Sequence, residues 1–440
     1  MPLYTNYAAF ADALQRTCVI SDPWVEGAER FCLEPVVISI PLYERLAAAA
    51  EAIGMLYEEL CQIVWEHSEL LDTFFHLTPY QKLMWLSSGG RWHGIARLDL
   101  FVLPDGSIQC CEMNSDTPSG EAEAVLLNNM LFSEDLLASG MINPNKAFPQ
   151  RFASMVHDFS HATLDFTHIR SSGRRLCVGI IYPTEMTEDL SMIQMYRVWL
   201  EQAGFDVVIG SPFNLHRLER TSLAVGMFGQ GIDIALRHYK TDWWGEREPV
   251  WRDVEGFPDP EPLVRQLHLL VEAEHDGALA IINPFGAALT QNKLTMAFFW
   301  RYRSLFSARA QNTIECYIPE TIRLCDADIH TLTQNDWVLK SDYGCEGDEV
   351  VLGCTVTQQQ WDTCLAMAVP ERWIVQRFFE VAPLTSQSST TVLLPNIGIY
   401  LLGGVASGVF TRLSSTATDY KAISAPTFLH PSHSTLRGAQ

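Results

Sequence analysis

Arg97, Asp99, Glu112 and Asn114 are the residues whose types and spacing point most directly to chemistry. Asp99 lies in the apolar run 97–103, and Glu112 and Asn114 close the run 107–114. Pro104, Asp105 and Gly106 between the runs suit the second, third and fourth places of a type I turn. A four-residue loop over 104–107 pairs Leu103 with Ile108. The same register sets Asp99 opposite Glu112 and Arg97 opposite Asn114. Side chains alternate along a strand, so all four share one face. Opposed carboxylates repel unless a cation stands between them. Mg²⁺ suits that place, because it takes hard oxygen ligands from one or two carboxylates together with substrate phosphates. The competing reading is that Arg97 neutralises the acids at a solvated surface.

Further chemistry-bearing residues follow. The polar loop 115–120 runs into an apolar helix expected over 121–131. Thr117 and Ser119 are candidate N-terminal caps, and a helix start there can hold an anion. Residues 336–352 read as strand, glycine turn, strand, with Lys340 on the first strand and Gly344 and Gly347 in the turn. A Walker A loop would carry Gly-Lys-Ser/Thr into a helix. Here glycines let backbone N–H groups approach phosphate oxygens, and the lysine comes from the strand. Lys293, in Gln291-Asn292-Lys293, opens a helix expected over 294–306. A lysine there opposes the helix dipole, which hints at function. Residues 373–380 form a strand carrying Gln376 and Phe378, and residues 408–415 another carrying Arg412.

The elements that must position these groups are legible in outline. Apolar residues recur at helical spacing over 43–66, with a continuation at 70–76. Residues 175–182 form a continuous apolar strand, as in a buried parallel sheet. A polar loop with Glu188 and Asp189 follows, then a helix to Gln202, a stop at Gly204 and a strand at 205–209. This is a βαβ unit, and its loop lies where open α/β sheets bind ligands. Glu188 and Asp189 read equally as acids favouring a helix dipole. Strands at 232–237 and 278–282 extend the sheet. The run 392–410 is interrupted by Pro395, Asn396 and the Gly403-Gly404 pair, so it reads as buried strands around a turn, not a membrane span. Residues 424–440, rich in Pro, Ser and His, are expected to be loosely ordered.

At 440 residues, two or three domains are expected. Thirty basic and 52 acidic residues give a net charge of −22, and no Lys/Arg cluster offers a nucleic-acid surface. Eleven cysteines without a Cys-x-x-Cys pair fit reduced thiols in a cytoplasm. Residues 1–15 lack the basic start and apolar core of a signal peptide.

Arg97-x-Asp99, Glu112-x-Asn114-x-Asp116-Thr117, the Asn283-Pro284 spacer to Asn292-Lys293 and the Lys340 glycine turn together resemble the glutathionylspermidine synthase family, a branch of the ATP-grasp ligases. The resemblance spans about residues 20–425, in permuted order, and covers the synthetase part without an amidase domain. It implies an α/β (α+β) ATP-grasp fold with a pre-ATP-grasp-like βαβ domain and an N-terminal helical layer. The expected segments are 1–172 (helical layer and metal hairpin), 173–285 (substrate domain) and 286–440 (nucleotide-binding part). It further implies that Asp99, Glu112 and Asn114 hold one or two Mg²⁺. Arg97, Lys293, Lys340, Gly344, Gly347, Gln376 and Phe378 would meet ATP, the last two at the adenine hinge, and Arg412 with Arg97 the reacting phosphate. Thr117, Ser119, Glu188, Asp189 and Thr241 would meet substrate.

The expected reaction is ligation of a peptide or amino-acid carboxylate to an amine through an acyl phosphate. No nucleic acid or membrane is expected as partner, and a homodimer is left open. Alternatives are an ATP-binding regulatory or adaptor protein without ligase activity and a small-molecule phosphotransferase. One departure concerns the glycine turn, Gly344-Cys345-Glu346-Gly347-Asp348, where the family carries Arg in place of Cys345. Either the loop closes through its backbone alone, or Glu346 or Asp348 attracts the incoming ammonium group and helps remove its proton.

Overall fold

A computed structural model describes residues 4, 6–20, 22–165, 174–184, 189–218, 224–245, 263–344, 349–384, 392–416, 418, 421–431 and 437–438. Its centre is a five-stranded antiparallel sheet. The hairpin strands Ile95–Val102 and Ile108–Asn114 lie at one side, followed by Leu394–Leu402, Val405–Ser414 and Ile423–Ala425. The sheet thus joins chain segments some 300 residues apart. One of its faces packs on the long helix Ile40–Glu66, whose Leu46, Ile53, Leu56 and Leu60 are fully buried with Leu98, Leu100, Ile397 and Ile399. Pro41 at the helix start and the Ser39 hydroxyl, accepting from Leu42 N–H, fix where that helix begins.

The βαβ expectation holds. Strands Cys177–Ile181, Asp206–Gly210, Ile234–Arg237 and Ala280–Ile282 form one parallel sheet, and the helix Leu190–Gln202 connects the first two. A third sheet carries the lysine strand Trp337–Ser341, flanked by Val350–Leu352 and by Trp373–Arg377, with Thr321–Arg323 at the far edge.

Three expectations are corrected. The predicted inner register of the hairpin is one residue out. Leu103 donates to the Ser107 carbonyl, Gly106 N–H closes the turn onto Leu103, and Val102 faces Ile108. A β-bulge at Cys111 absorbs the extra residue, so Asp99 still faces Glu112 and Arg97 still faces Asn114. The aromatic helix after Lys293 is shorter than expected, Leu294–Arg301, and gives way to a 3₁₀ turn at Arg303–Leu305. The segment after Ser424 is ordered where described. Thr427–His430 pairs in parallel with Val36–Ser39, and Phe428 and Leu429 are buried. Its apolar pair Phe428-Leu429 beside Thr427 outweighed the turn-rich residues around it. Strands Leu394–Leu402 and Val405–Ser414 do turn at Gly403-Gly404, both at positive φ. Among the described residues, no helix is long and apolar enough to cross a membrane.

Candidate functional site

The polar face of the central sheet opens onto a cavity of about 600 Å³, closed on the other sides by the lysine sheet and the first turn of the helix Leu190–Gln202. Asp99, buried at its floor, is held from two directions. Arg97 Nε donates to Oδ1 at 2.9 Å, and Arg412 Nη2 to Oδ2 at 2.5 Å. Burial pushes the Asp99 carboxyl up, but Arg412 and then Arg97 outweigh it and hold the group well below the usual carboxylate range. Gly398 stands opposite Asp99. A Cβ there would lie 2.9 Å from Arg97 Cδ, so glycine lets the arginine stem cross the strand. Arg97 Nη1 also donates to the Ser119 carbonyl at 2.6 Å, where the Tyr400 hydroxyl meets it at 2.8 Å.

Lys340 is buried on the facing sheet. Its Nζ donates to Gln376 Oε1 at 2.7 Å and to the carbonyl of the bulge residue Cys111 at 3.3 Å. Gln376 Nε2 is in turn bound to Thr321 Oγ1 at 3.1 Å. Gln376 therefore aims the lysine with its side chain. Its backbone sits in a central strand with neighbours on both sides, whereas Phe378 lies just past the strand end, on the cavity wall. Lys293 stands behind Glu112, 3.4 Å from Oε2, and its Nζ also meets the Gly344 carbonyl.

The loop 115–120 is pinned from the parallel sheet. Asn283 Nδ2 donates to the carbonyls of Ile95, Ser115 and Asp116 at 2.8–3.0 Å, and its Oδ1 accepts from Gly94 and Ile95 N–H, both at 2.8 Å. Gln291 Oε1 accepts from Ser115 and Asp116 N–H. Asp116 pairs with buried Arg237 at 2.6 Å and accepts from Thr241 N–H at 2.7 Å. Thr117 and Ser119 line the cavity, but neither caps the helix Glu121–Leu131. That place is taken by Gly120, at φ +94°, where a Cβ would lie 2.4 Å from the Phe410 ring.

The structure thus brings Arg97, Asp99, Glu112, Asn114, Thr117, Ser119, Asp189, Lys340, Gly344, Gln376, Phe378 and Arg412 to one cavity. Thr241 and Lys293 lie behind that wall. Glu188 and Gly347, with Cys345, Glu346 and Asp348, lie outside the described residues. Sequence reasoning missed Arg237, Asn283 and Gln291 as the groups that hold the loop. Asn283-Pro284 and Gln291 stood within a recognised pattern, but Arg237 carried no local signal.

A strand-borne lysine facing an arginine-bearing, acidic hairpin across a cavity, with a parallel βαβ sheet against its loop, defines an α/β fold of the ATP-grasp kind. The chain belongs to the glutathionylspermidine synthase family, whose pre-ATP-grasp model matches residues 37–430. No curated protein sequence matches it. The solved structure of a glutathione synthetase-like effector from Globodera pallida, in apo form, superposes over 96% of each chain with a TM-score of 0.60 and 10% identity, a likeness of fold. A putative gamma-glutamylcysteine synthetase from Methylobacillus flagellatus KT aligns over 86% of each chain, with a TM-score of 0.42 and 14% identity.

Proposed function

We propose that the protein is an ATP- and Mg²⁺-dependent ligase that joins a peptide or amino-acid carboxylate to an amine in the cytoplasm. The observation that carries this reading is the convergence of Lys340, Arg97 and Arg412 with Glu112 and Asn114 on one cavity, in a chain of this family. In the reaction, a carboxylate oxygen takes the γ-phosphoryl group of ATP and ADP leaves. The amine then attacks the acyl carbon, gives up a proton, and phosphate departs. The protein's part is to position the reactants and to offset the charge spread over the phosphoryl oxygens.

Lys340, aimed by Gln376, and Arg412, anchored on Asp99, supply fixed positive charge without reorganising. Arg97 ties that charge to the loop through Ser119. Glu112 and Asn114 fit a hard cation. Glu112 is partly exposed at the cavity wall, and Asn114 Nδ2 finds no hydrogen-bond partner among the described residues. Asp99 fits less freely, since both its oxygens already accept from arginines. Bound there, Mg²⁺ supplies positive charge against the phosphate oxygens. Those same arginine contacts favour a second reading, an ATP-binding protein without ligase activity.

ADP release with pairs of carboxylates and amines, titrated with Mg²⁺, tests the assignment. Glu112→Gln is expected to raise the Mg²⁺ requirement at least about tenfold, the scale at which loss of groups that support metal ligands already weakens binding. An unchanged Mg²⁺ dependence would remove Glu112 from the site.

A further inference from the structure

Arg30 and Glu123 form a charge pair on the cavity wall that the phosphoryl-transfer machinery does not use. Arg30 Nη2 donates to Glu123 Oε1 at 2.8 Å, with 26% of the arginine and 10% of the glutamate side chain exposed. Both residues line the cavity. Glu123 sits in the first turn of the helix Glu121–Leu131, directly after the Thr117–Ser119 loop, and so belongs to the substrate end.

The segment that carries Arg30 is built to present it. The Tyr7 hydroxyl accepts from Arg30 and Phe31 N–H at 3.1 and 3.2 Å. Arg30 N–H also meets the Pro23 carbonyl, and its own carbonyl accepts from Ser424 N–H at 3.1 Å. Phe31 bridges to Ser424, so the segment runs along the edge of the central sheet. Ser424 lies opposite Arg412 and lines the same cavity. Lys421 Nζ pairs with Glu26 at 2.7 Å across the same junction. Arg30 precedes the residues matched by the family model, which begin at 37.

We propose that Arg30 and Glu123 read a zwitterionic end of the carboxylate substrate, with Arg30 taking a second, non-reacting carboxylate and Glu123 an ammonium group. This rests on the ligase reading for which carboxylate reacts, but not for binding itself. Without ligand, Arg30 Nη2 pairs with Glu123 Oε1, and Arg30 Nη1 donates to the Asp22 carbonyl at 3.2 Å. A substrate end that carries an ammonium and a carboxylate on the same carbon offers the same two charges and exchanges one ion pair for two charge-assisted contacts. A substrate blocked at either group leaves one partner desolvated and unpaired, a source of discrimination at buried polar sites.

The test is calorimetric titration of the full chain, with ATP and Mg²⁺ present, using a panel of amino acids and dipeptides that carry two carboxylates, one of them beside a free ammonium group. Each is compared with its N-acetyl form and with the form amidated at the carboxylate beside the ammonium group. The wild-type protein should prefer a free form over its amide by at least about tenfold. Arg30→Ala should abolish the preference over amides, and Glu123→Gln the preference over N-acetyl forms. Arg30→Lys should keep part of it, and retained ATP binding shows that each variant is folded. Absence of any preference in the wild type, or its survival in Arg30→Ala, overturns the proposal. Failure of the ligase reading is separate, because it appears as no ADP release while the binding preference persists.

Discussion

Glu121 shows what a single buried group does to this fold. It opens the helix behind the cavity and is fully buried. Burial pushes its carboxyl up to about 8, against the opposing pull of its own backbone amide and Arg97. Unfolded, the group titrates near 4.5. The native state therefore holds the proton more tightly. Glu121's contribution to stability is complete below about pH 4.5 and is lost as pH rises through about 8. Glu121→Gln removes that loss. In urea unfolding followed from about pH 5 to 9, the variant should gain on the wild type by up to about 1.4 kcal/mol per pH unit until about pH 8. Parallel stability profiles would show that Glu121 is ionised in the fold. Asp99 runs the other way. Its depressed carboxyl stabilises above the usual carboxylate range and is lost only as pH falls below it.

At the level of elements, the hairpin and loop are held by Asn283. Its amide makes five hydrogen bonds to Gly94, Ile95, Ser115 and Asp116, all buried. Asn283→Ala leaves several backbone groups without partners, each costing about 1–3 kcal/mol. The variant should lose at least about 3 kcal/mol in urea unfolding and bind ATP more weakly. A loss below about 1 kcal/mol would mean that Gln291 and Arg237 suffice to hold the loop. The hairpin's outer pairing was legible because alternation and turn chemistry are local properties. The bulge at Cys111 was not, since it compensates a loop one residue longer and leaves Asp99 and Glu112 where simple counting puts them. Arg412 on Asp99 and Arg237 on Asp116 join residues more than a hundred positions apart, and no local spacing encodes such pairs. Gln376 shows the limit on a strand. Its presence there was readable, but whether its backbone or its amide faces the ligand depends on the neighbouring strands.

Across the whole molecule, early and late described segments of the chain pair with each other. The strand Thr427–His430 lies beside Val36–Ser39 in a sheet of its own, and Phe428 is fully buried there with Val37 and Met141. Phe428→Ala should cost about 3–5 kcal/mol, as for a large core deletion, and lower the thermal midpoint accordingly. An unchanged midpoint would return this segment to the loosely ordered tail that its Pro, Ser and His content suggests. The division into segments 1–172, 173–285 and 286–440 is a proposal about sequence order, while the central sheet mixes strands from the first and last. The most direct measurement of the central claim is mass spectrometry of a metabolite mixture incubated with the protein, ATP and Mg²⁺, with ADP measured in parallel. The account predicts a product whose mass is that of a carboxylate plus an amine minus water, formed one for one with ADP. ATP binding without substrate-stimulated ADP, or a stable phosphorylated product in place of the amide, would contradict it.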